Sequence, residues 1–263
     1  RATTLVGSGA AAAGVLAALS PQFAQAQQVA PNDARLQTRR LTFDSPLGNG
    51  NVQGYLAKPA GVSGKLPTVL VIHENRGLNP HIEDITRRLA LDGFLVFAPD
   101  ALATQGGYPG DEDKARAMFA KLDGPKTLQD FLAAARALLT FPESTGKVAA
   151  VGFCYGGSVA NYLATQVPEL AAAVPFYGSA PPVQDVQKIK APLQIHYAGA
   201  DERINAGWPT FEAALKAAGT RYETFIYPNV QHGFNNDTTP RFDADAAKLA
   251  WQRTIAFLKT NLA

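Results

Sequence analysis

Two periods of apolar and polar residues succeed one another along this chain from residue 36 onward. Leu36 to Phe43 and Val52 to Lys58 alternate apolar and polar positions on either side of the turn-rich segment 44–50, which predicts a β-hairpin of antiparallel edge strands. Pro67 to His73 is instead a continuous apolar run, as a parallel strand buried on both faces requires. Asn79 followed by Pro80 opens a helix that reaches about Asp92, and Gly93 stops it before a strand from Phe94 to Pro99. Beyond a loop over 100–110, helical spacing returns at Asp111 to Lys121 and Thr127 to Phe141, then Val148 to Val151 reads as a buried strand and Val159 to Gln166 as a helix. Strands follow at Ala171 to Tyr177, Leu193 to Ala198 and Tyr222 to Tyr227, with helices at Trp208 to Ala218 and Phe242 to Leu262. Such alternation predicts a doubly wound, mostly parallel α/β sheet whose functional residues occupy loops at the strands' carboxyl ends.

Length and composition narrow the reading further. With 263 residues and no internal repeat, residues 36–263 suit one α/β domain. A net charge of +2 with interspersed signs excludes a nucleic-acid footprint. One cysteine excludes an internal disulfide, and four scattered histidines without partners at ligand spacing give no metal site. Residues 1–35 differ in kind: Leu5 to Leu19 is uncharged and rich in Ala, Gly, Leu and Val, and leads to Ala24-Gln25-Ala26, a signal-peptidase pattern. The run is short of the roughly 20 residues of a stable membrane span. These 35 residues read as an export signal remnant and linker, with a mature chain from Gln27 that is periplasmic or secreted; an Ala-rich helix of a cytoplasmic protein is the competing reading.

Candidate chemistry centres on Gly152-Phe-Cys154-Tyr-Gly156. A strand leads into it and a helix leads out, which is the form of the G-x-S-x-G nucleophile elbow with cysteine in place of serine. The helix N-terminus there favours a thiolate and a developing oxyanion alike. A merely structural cysteine is the alternative, while phosphate binding fits poorly without G-x-G-x-x-G or a Lys-Ser/Thr pair. A nucleophile needs a base and the base an orienting acid. The loops after later strands supply Asp201, preferred over Glu202, and then His232, in the nucleophile–acid–base order of hydrolase folds. His73, His81 and His196 lie in or beside regular elements and read as packing or surface residues. Glu74, after the first parallel strand, faces the same sheet edge as Cys154, where it can accept the thiol proton or hold the thiol neutral; its alternative is a solvated carboxylate paired with Arg76. In such a fold the main-chain N–H groups of Asn75 and Tyr155 are the natural oxyanion donors.

Four motifs in register, Glu74 in H-E-N-R-G, Cys154 in G-F-C-Y-G-G, Asp201 in G-A-D and His232 in H-G-F, make residues 36–263 resemble the dienelactone hydrolase family of α/β-hydrolases. The resemblance implies a Cys-His-Asp triad, a glutamate at position 74 that engages the resting thiol until substrate releases the thiolate toward histidine, and hydrolysis without metal or cofactor. Members that cleave dienelactone grip its carboxylate with arginines. One of these lies four residues after the histidine, where this chain has Asn236, and another in the segment that here reads Asp111-Glu-Asp113. Arg76 and Asn236 are therefore the substrate-binding candidates, with Arg116 as a further compensating cation. The expected enzyme is a monomer or small homo-oligomer acting on a small ester or lactone. The rivals are an acyltransferase or thioesterase with the same residues, and a noncatalytic binding protein on a hydrolase scaffold.

Overall fold

A computed structural model describes residues 27–263; the expected export segment lies outside the described residues. The elements in order are β1 (Leu36–Ser45), β2 (Gly50–Pro59), β3 (Leu66–Ile72), α1 (Pro80–Leu91), β4 (Leu95–Pro99), α2 (Glu112–Phe119), α3 (Gly124–Thr140), β5 (Ser144–Phe153), α4 (Tyr155–Gln166), β6 (Ala172–Phe176), α5 (Val183–Val186), β7 (Leu193–Ala198), α6 (Glu202–Asn205), α7 (Trp208–Ala218), β8 (Tyr222–Tyr227) and α8 (Ala244–Leu262). They build one eight-stranded sheet of order β1-β2-β4-β3-β5-β6-β7-β8. β1 and β2 are antiparallel, β2 joins β4 antiparallel, and every later pairing is parallel. Only β1 of the hairpin is an edge strand, because Gly54 to Ala57 pair with Pro99 to Val96 of β4.

The continuous apolar strands divide their side chains between two cores. In β3, Val69 and Val71 face α1 and α8, where Ile82, Ile85, Leu89 and Leu258 meet them, while Leu70 and Ile72 face Phe131 and Leu138 of α3 and Leu163 of α4. A third cluster joins Leu193 and Ile195 of β7 to Phe211 and Leu215 of α7. Each fully buried aliphatic side chain contributes about 1.5–3 kcal/mol, which is why the central strands are so largely apolar. Asn79 caps α1 by accepting from the Ile82 N–H at 3.1 Å, with Pro80 at the first helical position. β3 and β5 are neighbours at the centre, and the chain leaves them for helices on opposite faces. The crevice at their carboxyl ends is thus a topological switch point.

The segment before β1 belongs to the body of the molecule. Val29 is buried, its N–H and that of Gln28 donate to Asp84 of α1, and its carbonyl accepts from Arg87 at 2.8 Å. Among the described residues no helix is long and apolar enough to cross a membrane.

Candidate active site

Cys154 stands between β5 and α4 with φ 56° and ψ −112°, a conformation that strains any residue with a Cβ by roughly 1–3 kcal/mol. Close backbone approach on both sides explains the flanking glycines. A Cβ on Gly152 would lie 1.9 Å from the Gly156 carbonyl oxygen, and one on Gly156 would lie 2.2 Å from the Ile72 carbonyl oxygen on β3. The turn thus presses α4 against the central strands and leaves the Cys154 side chain at the sheet's carboxyl edge.

Two loops bring the partners expected from sequence. His232 Nε2 is 3.0 Å from Cys154 Sγ, and His232 Nδ1 is 2.5 Å from Asp201 Oδ2. Asp201 is buried and also caps α6 by accepting from the Ile204 N–H, so its carboxylate is fixed by the backbone that follows β7. Glu202, the less favoured acid, is exposed. The Tyr177 ring packs against the imidazole with centroids 5.0 Å apart, and burial holds this phenol neutral, well above its ordinary pKa.

Glu74 is buried and does not pair with Arg76. Its Oε2 accepts from Asn236 Nδ2 at 2.8 Å, while Asn236 Oδ1 accepts from the Thr238 N–H at 3.0 Å and from Thr238 Oγ1 at 2.5 Å. Both ends of the Asn236 amide are thus committed within the protein, and its NH₂ faces Glu74. Glu74 makes no hydrogen bond to the sulfur among the described residues; its influence there is electrostatic. Burial, and then the Glu74 charge, push the Cys154 thiol up to about 11, against a hydrogen bond from the Tyr155 N–H and the charges of Arg203 and Arg241. The thiol is therefore neutral at pH 7. The Tyr155 N–H already points at the sulfur, and the Asn75 N–H has no partner among the described residues.

His73 has a use that the sequence did not disclose. Its Nε2 accepts from the Ala101 N–H at 3.1 Å, so the ring proton sits on Nδ1 and donates to the Glu74 carbonyl at 2.5 Å. Burial holds His73 neutral, and it pins the main chain that carries Glu74. His196, bonded to Tyr227 and Gln194 and lowered to about 3 by burial, is a core residue.

The expected cations are already paired. Arg76 pairs with Glu112 at 2.8 Å, and Glu112 also accepts from Tyr108 and Asn79; Arg116 pairs with Asp113 on the surface. The two arginines that act on the sulfur, Arg203 and Arg241, carry no sequence signal beyond lying two residues after Asp201 and nine after His232. A separate cavity of about 520 Å³, lined by Arg40, Gln53, Leu78, Asp100 and Tyr108 among others, contains none of Cys154, His232 and Asp201.

Comparison with known proteins agrees with this architecture. The model of the dienelactone hydrolase family matches residues 52–262. An Escherichia coli K12 protein named "Putative hydrolase fragment YghX" is 50% identical over 105 residues, 40% of this chain and 90% of that protein. A Yersinia pestis protein named "Putative carboxymethylenebutenolidase" is 33% identical over 224 residues, 80% of this chain and 84% of its own length. A solved Klebsiella pneumoniae structure, a "Putative Dienelactone Hydrolase", superposes with a TM-score of 0.73 at 29% identity, over 85% of this chain and 99% of that one. This chain belongs to the dienelactone hydrolase family and is an ester or lactone hydrolase of the α/β-hydrolase fold acting on a small molecule.

Proposed function

We propose that Cys154, His232 and Asp201 act as a triad that hydrolyses a small carboxylic ester or lactone through a thioester. The observation that carries the reading is the unbroken chain from sulfur to imidazole to carboxylate, at 3.0 and 2.5 Å, on an elbow at the sheet's switch point. His232 Nε2 takes the thiol proton as sulfur attacks the carbonyl carbon. The tetrahedral oxyanion sits between the N–H groups of Asn75 and Tyr155. Its collapse breaks the bond to the alcohol oxygen, which leaves with the proton from His232, and a thioester remains on Cys154. Water, deprotonated by His232, attacks that thioester, and the departing sulfur recovers its proton as the acid is released. Asp201 keeps the imidazole in the required tautomer. Glu74 sets the resting charge around the thiol, and Asn236 fixes Glu74 instead of touching substrate.

The test is an ester and lactone panel with Cys154→Ala and His232→Ala. Each is expected to lose roughly 10³-fold or more of kcat, as members of one catalytic unit do. Cys154→Ser should fold and hydrolyse poorly, because the site is built around a sulfur nucleophile. Full activity of Cys154→Ala on any ester the parent cleaves would overturn the assignment. Acyl transfer to an acceptor other than water would show as a product ester or thioester in place of the acid. We further propose that the chain is exported and matures at Gln27, on the strength of the apolar run and the Ala24-Gln25-Ala26 site. Intact mass from the native host checks this, and an uncleaved chain would refute it.

A further inference from the structure

We infer that Arg76 and Glu112 are positioning residues for the oxyanion hole: their ion pair fixes the loop that presents the Asn75 N–H, and through it helix α2 braces both oxyanion donors. Their role rests on the hydrolase reading above, and both act through Asn75 instead of through the substrate. Residues 74–78 form an arch between β3 and α1 whose two feet are held by other contacts. At one foot His73 accepts from the Ala101 N–H at 3.1 Å and Glu74 accepts from Asn236; at the other the Leu78 N–H donates to Asp100 Oδ1 at 3.1 Å. Gly77, at φ 69°, lies so close to the chain after β4 that a Cβ there would be 2.7 Å from the Leu102 side chain.

At the crown of the arch, Asn75 and Arg76 make no hydrogen bond from main chain to main chain among the described residues. Side chains hold them instead. Asn75 Oδ1 accepts from Arg76 Nη1 at 3.0 Å, and Arg76 Nε lies 2.8 Å from Glu112 Oε2, a contact of charges off the N–H axis. Glu112 Oε1 accepts in turn from the Tyr108 hydroxyl at 2.8 Å and from Asn79 Nδ2 at 3.1 Å, and Asn79 Oδ1 caps α1. Both carboxylate oxygens are thus committed, and the pair is keyed to two helices. Glu112 stands in the first turn of α2; at the last residue of the same helix, the Phe119 ring packs edge-on against the Tyr155 ring with centroids 4.9 Å apart. One helix of 8 residues therefore meets the two residues that carry the oxyanion donors. Small errors of placement matter here, because a shift of about 1 Å can cost roughly 10²-fold, and a donor lost outright costs roughly 10²–10³ in kcat.

Two measurements build an oxyanion and a third does not. Ester hydrolysis builds one, and so does inhibition by a trifluoromethyl ketone: the S–C bond forms, the thiol proton passes to His232 and the former carbonyl oxygen takes the negative charge. Alkylation of the single cysteine by iodoacetamide displaces iodide and builds none. The Arg76→Gln/Glu112→Gln double variant removes one charge of each sign, so the field at the sulfur changes least. It is expected to lose about tenfold or more in kcat with KM within about twofold, to weaken inhibition by the ketone by a similar factor, and to keep its iodoacetamide rate. Each single variant should lose nearly as much as the double, because both cut the same contact. Arg76→Lys keeps the charge without the planar fork and should show the same selective loss should the double variant not fold; far-UV circular dichroism and Tm verify folding. A folded variant with parental kcat and parental inhibition overturns the inference. So does one in which inhibition and alkylation fall together, since a pair that merely staples α2 in place would act on both alike. If the parent cleaves no ester yet takes up the ketone in a way that depends on Arg76 and Glu112, the hydrolase reading falls and the brace stands; if parent and folded variants cleave esters equally, the reverse holds.

Discussion

At the scale of single residues, the charge around the sulfur decides how the Cys154 thiol rests. With the thiol pushed up to about 11 by burial and by Glu74, alkylation by a neutral reagent should rise with pH, with its midpoint near that value. Glu74→Gln keeps the shape and removes the charge, so the midpoint should move down and alkylation at pH 8 should quicken; an unmoved pH profile would mean that Glu74 has no hold on the thiol. Asn236→Leu tests the other end of that pair. It strips a buried carboxylate of its donor, which costs roughly 1–3 kcal/mol, read as a lower urea midpoint with an unchanged slope. The placement of Cys154, Asp201, His232 and Glu74 was legible in the sequence because each follows a predicted strand at the sheet's carboxyl edge. The sequence did not disclose what Asn236 does, since its partner lies 162 residues away. Arg203 and Arg241 escaped for another reason: exposed arginines are common, and nothing in the sequence marks these two as acting on the sulfur.

At the scale of elements, the strands and long helices were readable because burial on two faces leaves an unbroken apolar run and burial on one face leaves a periodic one. Where such a signal is weak, the boundaries moved. α4 begins at Tyr155, ahead of the expected Val159, because glycines supply no hydrophobic face to recognise; α5 and α6 are single turns, too short for a period. β5 begins at Ser144, four residues before its apolar run, because backbone pairing with Leu66 recruits polar residues. The elbow glycines give the prediction that belongs to this scale. Gly156→Ala places a methyl 2.2 Å from the Ile72 carbonyl oxygen, and backbone on both sides cannot yield without lifting α4 from β3. We expect a loss of at least about 3 kcal/mol, seen as insoluble expression or a collapsed Tm. Gly124→Ala is the control: Gly124 opens α3 with nothing within 4 Å of the new methyl, and its effect should stay within about 1 kcal/mol, in the stabilising direction.

At the scale of the whole molecule, one ionic network joins the start of the described chain to the loop that carries His232. Asp84 is fully buried, accepts from Gln28 and Val29 and is paired with Arg88; Arg88 also reaches Asp237 at 2.5 Å, as do His81 and Gln28 at 3.0 Å. Asp237 immediately follows Asn236, so the network ties the strap at residues 28–29 and helix α1 to the residue beside the Glu74 clamp. Burial pushes the Asp237 carboxyl up, but the hydrogen bond and charge of His81, together with Arg88, outweigh it and bring the carboxyl down to about 2. A carboxyl lowered on folding stabilises the protein fully above its ordinary value near 3.8, and that contribution is lost as pH falls through about 2. Asp237→Asn should therefore cost roughly 2 kcal/mol at pH 7, and its deficit against the parent should shrink between pH 4 and pH 2. A deficit that stayed constant over that range would trace to packing instead of charge. Removing residues 27–29 strikes the same network from its other end, taking two donors from buried Asp84 and the acceptor from Arg87 Nε. The expected cost is about 2–4 kcal/mol, because a buried charge that loses a partner costs more than the pair contributed while intact. Because Asp237 sits beside Asn236, the truncated enzyme should lose kcat at temperatures where it is still folded, and its thiol alkylation profile should shift with it. Truncation that leaves both Tm and kcat at their parent values would show that the strap is mechanically separate from the site.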